Sequence, residues 1–118
     1  MEYSVKFNAA FEPSHSQNYI VHAAFRVGEI TVEKGFVFDG ASAPNYTLNM
    51  LGLSRFDPRL IIAACVHDKA YRTGIVKKSR ADQIFFNLLV QGGISKTKAK
   101  ILYNSVRFFG GKYYNPKK

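Results

Sequence analysis

The chain has 118 residues, 47% of them hydrophobic and 14% aromatic, enough to bury one compact core and little more. Its formal net charge is +9, and the single cysteine, Cys65, excludes an intrachain disulfide and is compatible with a reducing compartment. The longest run without a charged residue, residues 40–54, is broken by Pro44, Asn45, Asn49 and Gly52, which excludes a membrane-spanning helix, and no secretory leader is read at the start.

In chain order, Tyr3, Val5 and Phe7 alternate with polar neighbours, and residues 19–25 and 29–33 are rich in β-branched and aromatic types, a pattern that predicts antiparallel strands. Val27-Gly28 supplies one turn, Lys34-Gly35 another, and Phe36 to Phe38 a short further strand. Asp57-Pro58 reads as a cap with proline at the first helical position, so a first helix is predicted over 58–72, closed by Thr73-Gly74. A second starts at Ser79 and carries Ile84, Phe85, Leu88 and Leu89 on one stripe before Gly92-Gly93. A third starts at Ser95, with Ala99, Leu102, Tyr103 and Val106 facing inward before Gly110-Gly111. The expectation is one α+β domain over 1–118: β-rich 1–38, a loop over 39–57, helical 58–111 and a basic tail over 112–118, with the small antiparallel sheet packed against three helices.

Charge is unevenly placed, with four Lys or Arg against six Asp or Glu in residues 1–57, and thirteen against two in residues 58–118. Such a basic half is drawn to phosphate on nucleic acid or anionic lipid, or to an acidic partner; a solvated face accounts for it equally well.

The segment Cys65 to Arg72, CVHDKAYR, carries the densest chemistry. On a helix His67 stands over Tyr71, and Asp68 lies beside both. An imidazole with an ordinary pKa of about 6.5 suits a general base when a carboxylate orients its ring. Asp82 supplies that carboxylate if the second helix returns antiparallel along the first; alternatively, Ser79 and Asp82 form a capping pair. Asp68 offers a hard oxygen ligand, and the bend at Asp39-Gly40 offers carbonyls, the donor set that calcium takes, with magnesium or no metal as the alternatives. The plainer alternatives are that Asp68 pairs with Arg72, that Asp39 caps a turn, and that Tyr71 is a core aromatic. His15 and His22 read as surface or sheet residues. The order of His22, His67-Asp68 and Asp82 does not make a metal-dependent phosphohydrolase, because His22 falls in a predicted strand and the other ligands are too close in sequence.

The motifs FVFDGASAP, AACVHDKAYRTG and SRADQIF, followed by a basic helix ending VRFFGG, resemble a family of small uncharacterised proteins of tailed bacteriophages and prophages over about residues 34–111. Within them Asp39-Gly40-x-Ser42, His67-Asp68-x-x-Tyr71-Arg72 and Asp82-x-x-Phe85 are also similar to bacterial and fungal phospholipases A2. That resemblance implies His67 as the base activating a water, Asp82 as the group orienting it, Tyr71 as its support, and Asp68 with carbonyls near Gly40 as a calcium site. Ser42 and Arg72 would line it. The sequence departs from that pattern at Ala64, where those enzymes carry a disulfide cysteine, and at Ala41 and Ala43 in a loop that is richer in glycine in the enzymes.

Two functions follow. The first is a phage-encoded hydrolase of the phospholipase A2 type acting on an anionic lipid or other ester, located in the host cytoplasm or on the virion. The second is a non-enzymatic phage protein whose basic half, with Lys96, Lys98, Lys100, Arg107, Lys112, Tyr113, Tyr114, Lys117 and Lys118, binds a virion component, a host protein or nucleic acid. Against that second reading, alternating lysines on a helix are more often a solvated face, and Phe108 and Phe109 are expected in the core.

Overall fold

The computed structural model of the chain describes residues 11–13, 19–38, 45–54 and 57–115. Among the described residues five short strands precede four α-helices: β1 (Phe11–Pro13), β2 (Tyr19–Val21), β3 (Phe25–Val27), β4 (Ile30–Val32), β5 (Val37–Phe38), α1 (Asn45–Met50), α2 (Pro58–Thr73), α3 (Lys78–Gln91) and α4 (Lys96–Phe109), followed by a 3-10 turn at Gly111–Tyr113. The fold is α+β. The strand expected over 19–25 is two strands, because the chain bends at His22 and Ala23 and hands over from one sheet to another. β1, β2 and β5 form an antiparallel sheet in that order, with Phe11 opposite Val21 and Tyr19 opposite Phe38. β3 and β4 form a separate hairpin, with Val27 opposite Ile30 across the Gly28 turn, where φ is 57°. The strand expected around Val5 lies outside the described residues.

α2 is the centre of the molecule. Its eight residues from Leu60 to His67 are all buried, because α3 covers one side and β4 and β5 cover another. A helix apolar all round its circumference belongs inside a core rather than on its surface. The Asp57 carboxylate caps it by accepting from the Arg59 backbone N–H at 2.9 Å, and Gly74 closes it in the left-handed conformation at φ 64°. α3 runs back along α2. Gly92 at its end lies so close to the beginning of α2 that an added Cβ would stand 2.6 Å from the Arg59 carbonyl oxygen. α4 returns again and brings Gly110 against Tyr71. The core joins Val21, Val27, Ile30, Val32 and Phe38 from the strands to Leu60, Ile62, Ile84, Phe85, Leu89 and Leu102 from the helices.

The segment expected as a loop over 39–57 contains α1. Thr47 and Leu48 are buried there, and Thr47 lies 3.5 Å from Ser105 of α4, hydroxyl to hydroxyl. Among the described residues no helix is long and apolar enough to cross a membrane.

A candidate His–Asp site

His67, near the end of α2, and Asp82, in the first turns of α3, meet because the two helices are antiparallel and joined by a short connection. The imidazole Nε2 is 2.8 Å from Asp82 Oδ1. The Tyr71 hydroxyl, one turn beyond His67, donates to the same oxygen at 2.6 Å. Lys78 Nζ donates to Asp82 Oδ2 at 2.8 Å from one turn earlier on α3. The same ammonium donates to the carbonyls of Val106 and Arg107, at 3.3 and 3.2 Å, and so caps the end of α4. Three helices are thereby tied to one carboxylate. The His67 ring lies between two aromatic rings, with centroids 4.0 Å from Tyr71 and 4.8 Å from Phe85.

The site is enclosed, with His67 3% and Asp82 1% exposed. Burial lowers the His67 pKa, opposed by the hydrogen bond and charge of Asp82 and assisted by the nearby Lys78 ammonium. Burial alone would raise the Asp82 carboxyl, but hydrogen bonds from His67, Lys78 and Tyr71 outweigh it and hold the group below the usual carboxylate range. Burial and the adjacent Asp82 both push the Tyr71 phenol up. At neutral pH the network is therefore a neutral imidazole, a neutral phenol, a carboxylate and an ammonium. Because a carboxylate can only accept, Nε2 carries the imidazole proton and Nδ1 holds the lone pair. An imidazole fixed in that tautomer can take a proton at Nδ1.

Asp82 does not act as the capping residue that its pairing with Ser79 suggests. α3 begins at Lys78, its N-cap Lys77 makes no side-chain cap, and the Asp82 carboxylate turns to α2. The same shift of the helix start explains why sequence reasoning missed Lys78. Only once Lys78 is helical do it and Asp82 become neighbours four apart.

Asp68 stands on the next face of α2, where its carboxylate pairs with Arg72 at 2.8 Å while the Arg72 guanidinium lies 4.9 Å from the Phe36 ring centroid. Asp39, Gly40 and Ser42 lie outside the described residues. Among the described residues no group of three His, Cys, Asp or Glu side chains is gathered to hold a metal ion. Of the residues expected to hold calcium, Asp68 alone is described, and it is faced by the Arg72 guanidinium. Cys65 is buried and its thiol pKa is pushed up, which leaves it protonated and unreactive. His22 is exposed in the bend between β2 and β3, and His15 lies outside the described residues.

Lys96, Lys98 and Lys100 are exposed on α4 but do not share a face. At 100° per residue Lys96, Lys100 and Arg107 form one stripe, and Lys98 lies on another side. Lys100 and Arg107 both stack on Tyr103, at 4.9 and 5.6 Å from its ring centroid. Phe108 and Phe109 are exposed rather than in the core: Phe108 lies on the side of α4 turned away from the inward-facing Leu102 and Val106, and Phe109 meets Tyr46 of α1 at the edge of the packing.

These features define a small α+β protein built round a buried His–Asp–Tyr–Lys network. The chain belongs to the DUF1353 family of proteins of unknown function, whose match covers residues 15–106, from ahead of β2 to the last turn of α4. No curated protein and no solved structure matches it.

Proposed function

We propose that the chain is an ester hydrolase of the phospholipase A2 type in which His67 is the general base. The observation that carries this reading is the double acceptance at Asp82 Oδ1, from His67 Nε2 and Tyr71 Oη, which fixes the tautomer that leaves Nδ1 basic. In the proposed reaction Nδ1 takes a proton from a water whose oxygen attacks the ester carbonyl carbon. The bond from that carbon to the alcohol oxygen then breaks, and the imidazolium returns its proton to the leaving alcohol. Asp82 stays ionised throughout and stabilises the imidazolium. Calcium belongs to the proposal through Asp68 and the Asp39-Gly40 segment of the sequence, where it would polarise the ester carbonyl. The phage or prophage source, the lipid ester and a place in the host cytoplasm or on the virion rest on the motif resemblance alone.

The burial of all three groups favours a second reading. In it the network is structural, it locks α2, α3 and α4 together, and the protein binds a virion, host or nucleic-acid partner through its basic half. His67→Gln separates the two, because glutamine keeps a donor toward Asp82 and most of the volume, whereas alanine would open a cavity. Under the hydrolase reading the wild type releases fatty acid from phospholipid vesicles, and His67→Gln loses on the order of 100-fold or more of that rate, with a Tm within a few degrees of wild type. In the same assay millimolar calcium raises the wild-type Tm, and Asp68→Asn abolishes the rise. A wild type that hydrolyses nothing, together with a His67→Gln protein that melts far lower, contradicts the hydrolase and supports the structural reading.

A further inference from the structure

We propose that the C-terminal end of α4 and the outer face of α1 form a docking surface for an anionic lipid interface. Phe108 is 84% and Met50 72% exposed, while Tyr46, Phe109 and Tyr113 are also largely exposed. They are not scattered. Tyr46 and Met50 are four residues apart and share a face of α1. The Tyr46 ring meets Phe109 edge-on with centroids 6.3 Å apart, which joins that face to the last turn of α4. Phe108, next in the same turn, continues the apolar rim round the helix end toward Arg107.

Large exposed apolar side chains clustered at one end of a small protein mark an interaction surface. The charge beside them selects the occupant. After Asp82 the sequence has seven Lys or Arg and no Asp or Glu, and the exposed Arg107 stands next to Phe108 at this rim, while Lys96 and Lys100 lie farther back along α4 on the side away from Phe109. Aromatic and aliphatic tips flanked by cations fit the headgroup boundary of an anionic membrane, where rings enter the interface and basic side chains meet lipid phosphates. The helix end is prepared for a less polar medium, since the Gly110 N–H satisfies the Val106 carbonyl and Lys78 satisfies the Arg107 carbonyl that would otherwise need water. A second copy is a poor occupant because each chain carries +9. Nucleic acid uses the cations but leaves Met50, which has no ring to stack on a base, without a role.

The surface is independent of the hydrolase reading, so His67→Gln keeps it intact. The chain contains no tryptophan, and Phe108→Trp therefore supplies a single reporter. Its emission is expected to shift to the blue on addition of phosphatidylglycerol vesicles and not on addition of phosphatidylcholine vesicles. A Met50→Ser, Phe108→Ser and Phe109→Ser triple variant of the full chain is expected to keep the wild-type Tm and to bind phosphatidylglycerol vesicles at least tenfold more weakly in co-sedimentation. Wild-type binding by that variant would reduce the interaction to charge alone and overturn the proposal. So would an absence of vesicle binding by the wild type, accompanied either by single-stranded DNA binding or by self-association that the triple variant loses.

Discussion

Three hydrogen bonds converge on the two oxygens of Asp82, and each donor comes from a position that the helical repeat makes available: His67 and Tyr71 one turn apart on α2, Lys78 one turn before Asp82 on α3. Removing the charge at the hub leaves Lys78 facing a neutral group inside the core. Lys78 keeps about a quarter of its side chain exposed and can turn partly to water. We therefore expect Asp82→Asn to cost about 3 kcal/mol, the lower end for a broken buried pair, measured by urea denaturation. The same variant removes the two influences that raise the His67 pKa, so its imidazole should titrate lower still by NMR; an unchanged titration would mean that the pair is not electrostatically coupled. At this scale the stacking of His67 over Tyr71 was legible from their spacing on one helix, whereas Asp82 read equally as a cap and met His67 only if the second helix returned antiparallel. Lys78 was not, since its role depends on where α3 starts and where α4 ends, and a one-residue shift at a helix start removes it from view.

Among the elements, α2 decides the architecture. The run Leu60 to Val66 has no polar residue, so α2 has no solvent face along this stretch, and that signal also explains why His67 is buried rather than lining an open cleft. The helices were legible because caps and glycines mark their ends: Asp57-Pro58 and Gly74 for α2, Ser95 for α4. α1 was not, because six residues without a charged group or a helical stripe give no periodicity to read, and its helix depends on Thr47 and Leu48 packing inward. The inward placement expected of Phe108 and Phe109 failed for a related reason: aromatic character alone does not show which residues of a last turn the core covers. The contact between α2 and α3 predicts a steric effect. At Gly92 an added methyl would meet the Arg59 backbone carbonyl, which cannot swing aside as a side-chain tip can. Gly92→Ala should lower stability by about 1–3 kcal/mol, the range for overpacking, in chemical denaturation. An unchanged or raised stability would show that the two helix ends are not in contact.

For the whole molecule, the network couples folding to pH. His67 and Asp82 both have folded pKa values below their ordinary values, which are about 6.5 for an imidazole and about 3.9 for an aspartate. Between each lowered value and its ordinary one, the unfolded chain holds a proton that the folded chain does not, so stability falls as pH falls. The His67 contribution is complete above about pH 6.5 and is lost on acidification below it; the Asp82 contribution is lost in a second window below about pH 3.9. The urea midpoint of the wild type should therefore drop between pH 7.5 and pH 5, and His67→Gln should flatten that step. A wild-type profile that is flat across this interval would contradict the assignment of a buried neutral imidazole.

The protonation state of His67 is what the catalytic reading depends on, and nitrogen NMR of the imidazole reads it directly. At pH 7 the ring should be neutral with its proton on Nε2, shared with Asp82, and an unprotonated Nδ1. A ring found as imidazolium, or with the proton on Nδ1, would have no lone pair at Nδ1 to offer a water, and His67 as base would be wrong.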